Sequence, residues 1–115
     1  MTVELRLDEH GPFTIAALSG DFGAADAPSF LETLHDAVSG AGAALAIDLA
    51  GLTAIDSTGL SALINLVARA RLTQGRVVLV APPPFVTGIF NATHLDRWFE
   101  ICERLDLAEQ SFTAK

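Results

Sequence analysis

Hydrophobic and polar positions at the start of the chain follow a period of two. Val3, Leu5 and Leu7 stand between polar neighbours, and Phe13, Ile15 and Ala17 repeat the period. Such alternation sends every second side chain to one face of a pleated strand. Between the two runs lies Asp8-Glu9-His10-Gly11-Pro12, rich in turn formers, so the pattern predicts an antiparallel hairpin. The period then changes. Asp26-Ala27-Pro28 supplies a cap-like residue and a proline near the first helical position. Phe30, Leu31, Leu34 and Val38 follow at helical spacing, and Gly40 and Gly42 close that helix.

From Ala43 to Leu49 the residues are apolar without alternation except at Asp48, which predicts a strand covered on both faces, as in a parallel sheet. Leu60, Leu63, Ile64 and Val67 form one stripe of a second helix running from Ser57 to about Thr73. The β-branched run Val77-Val78-Leu79-Val80 reads as another central strand, stopped by Pro82-Pro83-Pro84. Phe85, Val86, Ile89 and Phe90 mark a third helix, and Trp98 to Cys102 a last strand. Asp106-Leu107-Ala108-Glu109 has the spacing of a capping box, with Leu107, Ala108 and Phe112 expected to face inward. The order β-β-α-β-α-β-α-β-α is that of an α/β layer structure, a mixed and mostly parallel sheet flanked by helices.

Composition narrows the function classes. The 115 residues suit a single domain over 1–115, half of them apolar and 18% charged. Seven Lys and Arg against fourteen Asp and Glu leave a net charge of -7, so no binding to nucleic acid or to an anionic membrane surface is expected. One cysteine makes no internal disulfide, and one Cys with three scattered His is too thin for a structural zinc site. Neither a metal nor a cofactor is expected. Asp48, Gly51 and Asp56 interrupt the richest apolar stretch, so no membrane span is predicted, and a cytoplasmic location follows from the absence of a signal-peptide pattern.

Candidate chemistry concentrates in Ala46 to Leu60. Here a buried strand is expected to end near Leu49, a short loop to follow, and Asp56-Ser57-Thr58-Gly59 to open a helix. One reading is purely structural: Asp, Ser and Thr are good cap residues, and Gly59 lets the first turn pack tightly on the sheet. The other begins from where the hydroxyls would sit, at the C-terminal end of a parallel strand and the N-terminus of a helix. A phosphate on Ser57 would be favoured there by the helix dipole and the free amides, and would change the surface a partner meets without melting the helix. Enzymatic readings fare worse. Asp56 and Gly59 are separated by two residues, unlike the Asp-Ser/Thr-Gly triplet of aspartic proteases, and there is no second copy. No Gly-x-Ser-x-Gly surrounds Ser57, and His10, His35 and His94 fall in expected turns or on helix surfaces.

These residues resemble the STAS domains of bacterial anti-sigma factor antagonists over nearly the whole chain. Asp56-Ser57-Thr58-Gly59-Leu60 is similar at every position to that family's Asp-Ser-Ser/Thr-Gly-Leu signature. Leu18-Ser19-Gly20-Asp21-Phe22 with Ala27-Pro28, and Thr93-His94-Leu95-Asp96-Arg97-Trp98-Phe99-Glu100-Ile101, are weaker echoes. The resemblance implies a STAS fold and partner switching. The unphosphorylated domain binds an anti-sigma factor, often also a serine protein kinase, and so frees a sigma factor. The kinase phosphorylates the serine after the Asp, here Ser57, and a phosphatase resets the switch; ATP and magnesium belong to the kinase. Asp56 would shape the acceptor loop, Thr58 is the neighbouring hydroxyl, and Gly59 would let a partner approach the backbone.

One position departs from the family pattern. Gly-Glu-Leu/Ile-Asp commonly ends the second strand, whereas this chain has Gly20-Asp21-Phe22-Gly23, with Asp26 the next nearby acid. The expected partner-binding set is Asp21, Asp56, Ser57, Thr58, Gly59, Ser61 and Asn65. Ser61 and Asn65 belong to an outward helix face continued by Arg69 and Thr73, which a plain solvated surface explains equally well. Phe85 and Phe90 are expected in the core, Cys102 as a buried small apolar residue, and only one of Trp98 and Phe99 facing inward. Two other roles within the family remain: an accessory subunit of a lipid-transport ABC system, and a scaffold without a phosphoswitch.

Overall fold

The computed structural model describes residues 3–10, 13–40 and 42–113. Five strands form one sheet in the order of the chain: β1 (Val3–His10), β2 (Phe13–Phe22), β3 (Ala44–Ile55), β4 (Arg76–Val80) and β5 (Glu100–Cys102). β1 pairs with β2 antiparallel, and every later pairing is parallel. The connections are α1 (Ala27–Ser39), α2 (Ser57–Leu72) and α3 (Pro84–Ala92), with α4 (Leu105–Thr113) following β5. The strand order advances in one direction, so crossovers of one hand place α1, α2 and α3 on the same face. The core shows it. Leu34, Leu66 and Phe90 from the three helices pack with Leu18, Ile47 and Leu79 of the sheet. On the other face Ile15, Ala46 and Val78 pack against Ala108 and Leu105 of α4. The apolar runs in β3 and β4 follow from this double cover.

Several local expectations are corrected. β1 runs on to His10, which pairs with Phe13, so Asp8, Glu9 and His10 are strand and not turn; Gly11 and Pro12 lie outside the described residues. β3 does not end at Leu49 but continues to Ile55, still paired with β2 up to Phe22. Two register shifts in that ladder, at Ala17/Ser19 and Gly20/Asp21, absorb the extra length. Gly20 has φ of +96°, and a methyl on Gly51 would lie 2.7 Å from Ser19 Cβ, so the ladder needs glycine at both places. The second half of β3 leaves Ala50, Gly51 and Thr53 exposed while burying Leu52, and that mixed pattern reads as loop in the sequence.

The last expected strand is shortened because Leu95–Arg97 form a 3-10 turn. The turn lets Phe99 enter the core while Trp98 packs at its edge, so both aromatics face inward. Arg71 covers the Trp98 ring at 4.4 Å and donates to the Trp98 carbonyl. α4 begins at Leu105, which puts Asp106 inside the first turn and not at the cap. Leu107 consequently points outward, and Leu105, partly buried, packs against the sheet instead. Phe90 is buried as expected, whereas Phe85 is exposed. Among the described residues no helix is long and apolar enough to cross a membrane.

Candidate functional site

β2 and β3 end side by side, Phe22 opposite Ile55, and the chain leaves both strands towards a helix on the same face. Asp56 is the N-cap of α2 in an extended conformation. Its Oδ1 accepts from the Gly59 amide at 2.9 Å, the bond expected of a cap. Its Oδ2 accepts from the Ala24 amide at 3.3 Å, reaching across to the loop between β2 and α1. The Asp56 amide in turn donates to the Phe22 carbonyl at 3.2 Å. One residue therefore holds the start of α2, the end of β2 and the loop that follows it.

Ser57 is the first residue of α2 and is exposed, as is Thr58 beside it. By helix geometry their amides have no intrahelical acceptor, so the positive end of the dipole opens where Ser57 stands. The helix carries Arg69 and Arg71 in its last turn and no acid in its first. Gly59 is buried with its Cα against the sheet, where a methyl would lie 2.4 Å from the Phe22 carbonyl oxygen. That contact packs the first turn of α2 tightly against the end of β2.

Next to Thr58 an apolar groove of about 330 Å³ runs between the two helices. Ala24, Ala27, Pro28 and Leu31 form one wall, and Thr58, Ser61, Ala62 and Asn65 the other. A smaller hollow lined by His35, Val38, Arg69, Leu72 and Thr73 lies further along the same helix pair. Arg69 links the two, donating to Asn65 Oδ1 at 2.7 Å and contacting His35 Nδ1 at 3.5 Å. The structure thus brings Asp56, Ser57, Thr58, Ser61 and Asn65 to one region. Asp21 is half-buried at the end of β2, in register with Ala54, and is not part of the groove lining. Asp26 is placed elsewhere too: it lines a hollow with Leu5, Ser29, Phe30 and Thr33. There it makes no side-chain cap bond, and its Oδ2 has no partner among the described residues.

Sequence reasoning missed the wall contributed by the β2–α1 loop and α1. It also missed why Gly23 is glycine: a methyl there would come within 2.5 Å of Asp56 Oδ2. The signal was present as the departure from the family's acid at this position. Among the described residues no group of His, Cys, Asp and Glu side chains is arranged to hold a metal ion.

The family model described as Mlab, STAS domain matches residues 5–107. Among curated protein sequences none matches the chain. Among solved structures, an anti-sigma factor antagonist from Mycobacterium paratuberculosis superposes with a TM-score of 0.84 at 23% identity, covering 96% of this chain and 94% of that one. The anti-sigma factor antagonist SpoIIAA in its unphosphorylated form gives 0.79 at 18% identity, over 94% of this chain and 95% of that one. The Bacillus cell fate determinant SpoIIAA in its phosphorylated form gives 0.74 at 16% identity, over 94% and 99%. At these identities the likeness is one of fold.

Proposed function

The chain belongs to the STAS domain family, and on that premise we propose that it is a regulatory binding module, an anti-sigma factor antagonist switched at Ser57. The unphosphorylated form docks an anti-sigma factor that is also a serine protein kinase, and a sigma factor is released. The observation that carries this reading is the position of Ser57: exposed at the first residue of α2, beside the apolar groove that begins at Thr58. The fold neighbours described as anti-sigma factor antagonists, one of them known with and without phosphate, support it.

In the switching step the kinase moves the γ-phosphoryl group of its ATP to Ser57 Oγ. A new P–O bond forms at the serine, the bond to the β-phosphate breaks, ADP leaves, and the hydroxyl proton passes to the kinase or solvent. At a helix start the added charge is tolerated, because dipole and amides favour an anion by about 0.3–1 kcal/mol. Beside an apolar groove the same charge opposes docking, since a partner must strip water from a dianion and none of the residues lining the groove is cationic. A phosphatase removes the group. On this reading the chain is a binding module, and the phosphoryl chemistry belongs to the kinase and the phosphatase. Thr58, Ser61 and Asn65 form the partner face, with Gly59 packed beneath it.

The experiment is a paired capture from native cell extract with wild type and Ser57→Asp as baits, the retained proteins being identified by mass. A kinase-like ATP-binding protein held by wild type alone is the expected result. The competing role within the same family is an accessory subunit of a lipid-transport ABC system. Retention of a transporter ATPase by both baits would establish that role instead.

A further inference from the structure

Gly23 occupies a junction that the switch at Ser57 does not by itself require. Its carbonyl accepts the amides of Asp26 and Ala27, both at 3.0 Å, and so fixes the first turn of α1. Its Cα faces the Asp56 carboxylate so closely that a methyl would lie 2.5 Å from Oδ2 and 3.1 Å from Cγ. The next residue, Ala24, donates its amide to that same Oδ2. Asp56 therefore divides its two oxygens: one caps the helix that begins with Ser57, the other holds the loop from which the opposite wall of the groove starts.

Resting on the reading that Ser57 carries the switch, we propose that Asp56, admitted by Gly23, is the positioning residue through which charge at Ser57 reaches the far wall of the groove. A phosphoryl dianion on the adjacent residue repels the Asp56 carboxylate and competes for the amides at the α2 start. Of the two Asp56 bonds, the one to Ala24 is longer, at 3.3 Å against 2.9 Å, and is the first to yield. Its loss frees Gly23 and Ala24, and with them the start of α1 at Ala27 and Pro28. Docking is then weakened by a loosened wall as well as by the charge itself.

The test separates the two oxygens. Asp56→Asn keeps an acceptor for the Gly59 amide but turns an NH2 towards the Ala24 amide, so it keeps the cap and removes the tether. Amide hydrogen exchange is followed by NMR on wild type, Ser57→Asp, Asp56→Asn and the double variant. The Ala24 amide is expected to exchange about fivefold faster in Ser57→Asp, the factor for losing one hydrogen bond of ordinary net strength. Asp56→Asn is expected to show the same rise with the Gly59 amide still protected, and the double variant no further rise. Gly23→Ala, which displaces the carboxylate sterically, is expected to act on Ala24 in the same way. Unchanged Ala24 exchange in Ser57→Asp overturns the proposal, as does an additive rise in the double variant. If capture is lost in Ser57→Asp with Ala24 exchange unchanged, this coupling fails and the switch stands. If Ala24 responds while both baits hold the same partner, the coupling stands and the switch fails.

Discussion

Gly59 and Gly88 both lie inside helices, yet their surroundings are opposite, and alanine at each is expected to move stability in opposite directions. Among the described residues nothing beyond its own turn of helix lies within 4 Å of a methyl built on Gly88, which is exposed in α3. There the substitution removes only the conformational freedom of glycine and should stabilise by up to about 1 kcal/mol. Gly59 would gain the same term, but its methyl lands 2.4 Å from the Phe22 carbonyl oxygen and 3.1 Å from Ile55 Cγ1. Relief requires the α2 start to lift by about 1 Å, away from a carbonyl that also accepts the Asp56 amide at 3.2 Å. Overpacking of this kind costs about 1–3 kcal/mol. Set against the helical gain, and with the Asp56 bond weakened as well, Gly59→Ala should lose about 1–2 kcal/mol. Urea titration followed by far-UV circular dichroism reads both variants. With a slope of about 2 kcal/mol per M, their midpoints should differ by about 1 M, wild type lying between them. A Gly59→Ala midpoint at or above wild type would refute the close approach of α2 to β2 on which the site geometry rests.

Leu63 is fully buried between helix and sheet, so Leu63→Ala should cost about 3 kcal/mol by the same titration. Arg76 holds Glu100 through paired hydrogen bonds, reaches Ser111 of α4 and lies 5.3 Å from the Phe112 ring centre. With both charged groups more than a third exposed, at 38% and 41%, Arg76→Met should cost only about 1 kcal/mol. The Glu100 hydrogen bond, aided by Glu100's charge, holds the Arg76 guanidinium above its usual range despite some desolvation. A raised cation pKa contributes stability that is complete through neutral pH and fades only in strong alkali. The deficit of Arg76→Met attributable to that guanidinium should therefore stay level from about pH 6 to 9. Ser61→Arg places a long cation on an exposed groove position; unfolding should shift by less than about 0.5 kcal/mol while partner capture falls.

Periodicity was enough for the order of elements and for the two buried strands, because β4 and the first half of β3 are covered on both faces and carry apolar runs broken only at Asp48. It failed where tertiary pairing overrode local signals. The second half of β3 is a strand because β2 supplies a bulged partner, which an alternating pattern cannot express. Trp98 and Phe99 face the same way because a 3-10 turn, and not a strand, presents them. At the site, the cap role of Asp56 and the exposure of Ser57 were legible from Asp-Ser-Thr-Gly. The bond from Asp56 to Ala24 was not, since it joins residues 32 positions apart. Gly23 marked that contact only as a missing acid, and Asp26 lines a different hollow.

The most direct test of the switch is to titrate the kinase-like partner recovered by wild type into two samples of this chain, one unmodified and one phosphorylated on Ser57, by isothermal calorimetry. The account predicts at least about tenfold weaker binding to the phosphorylated sample, equivalent to about 1.4 kcal/mol, with the fold retained by circular dichroism. Equal affinity for the two samples would contradict it.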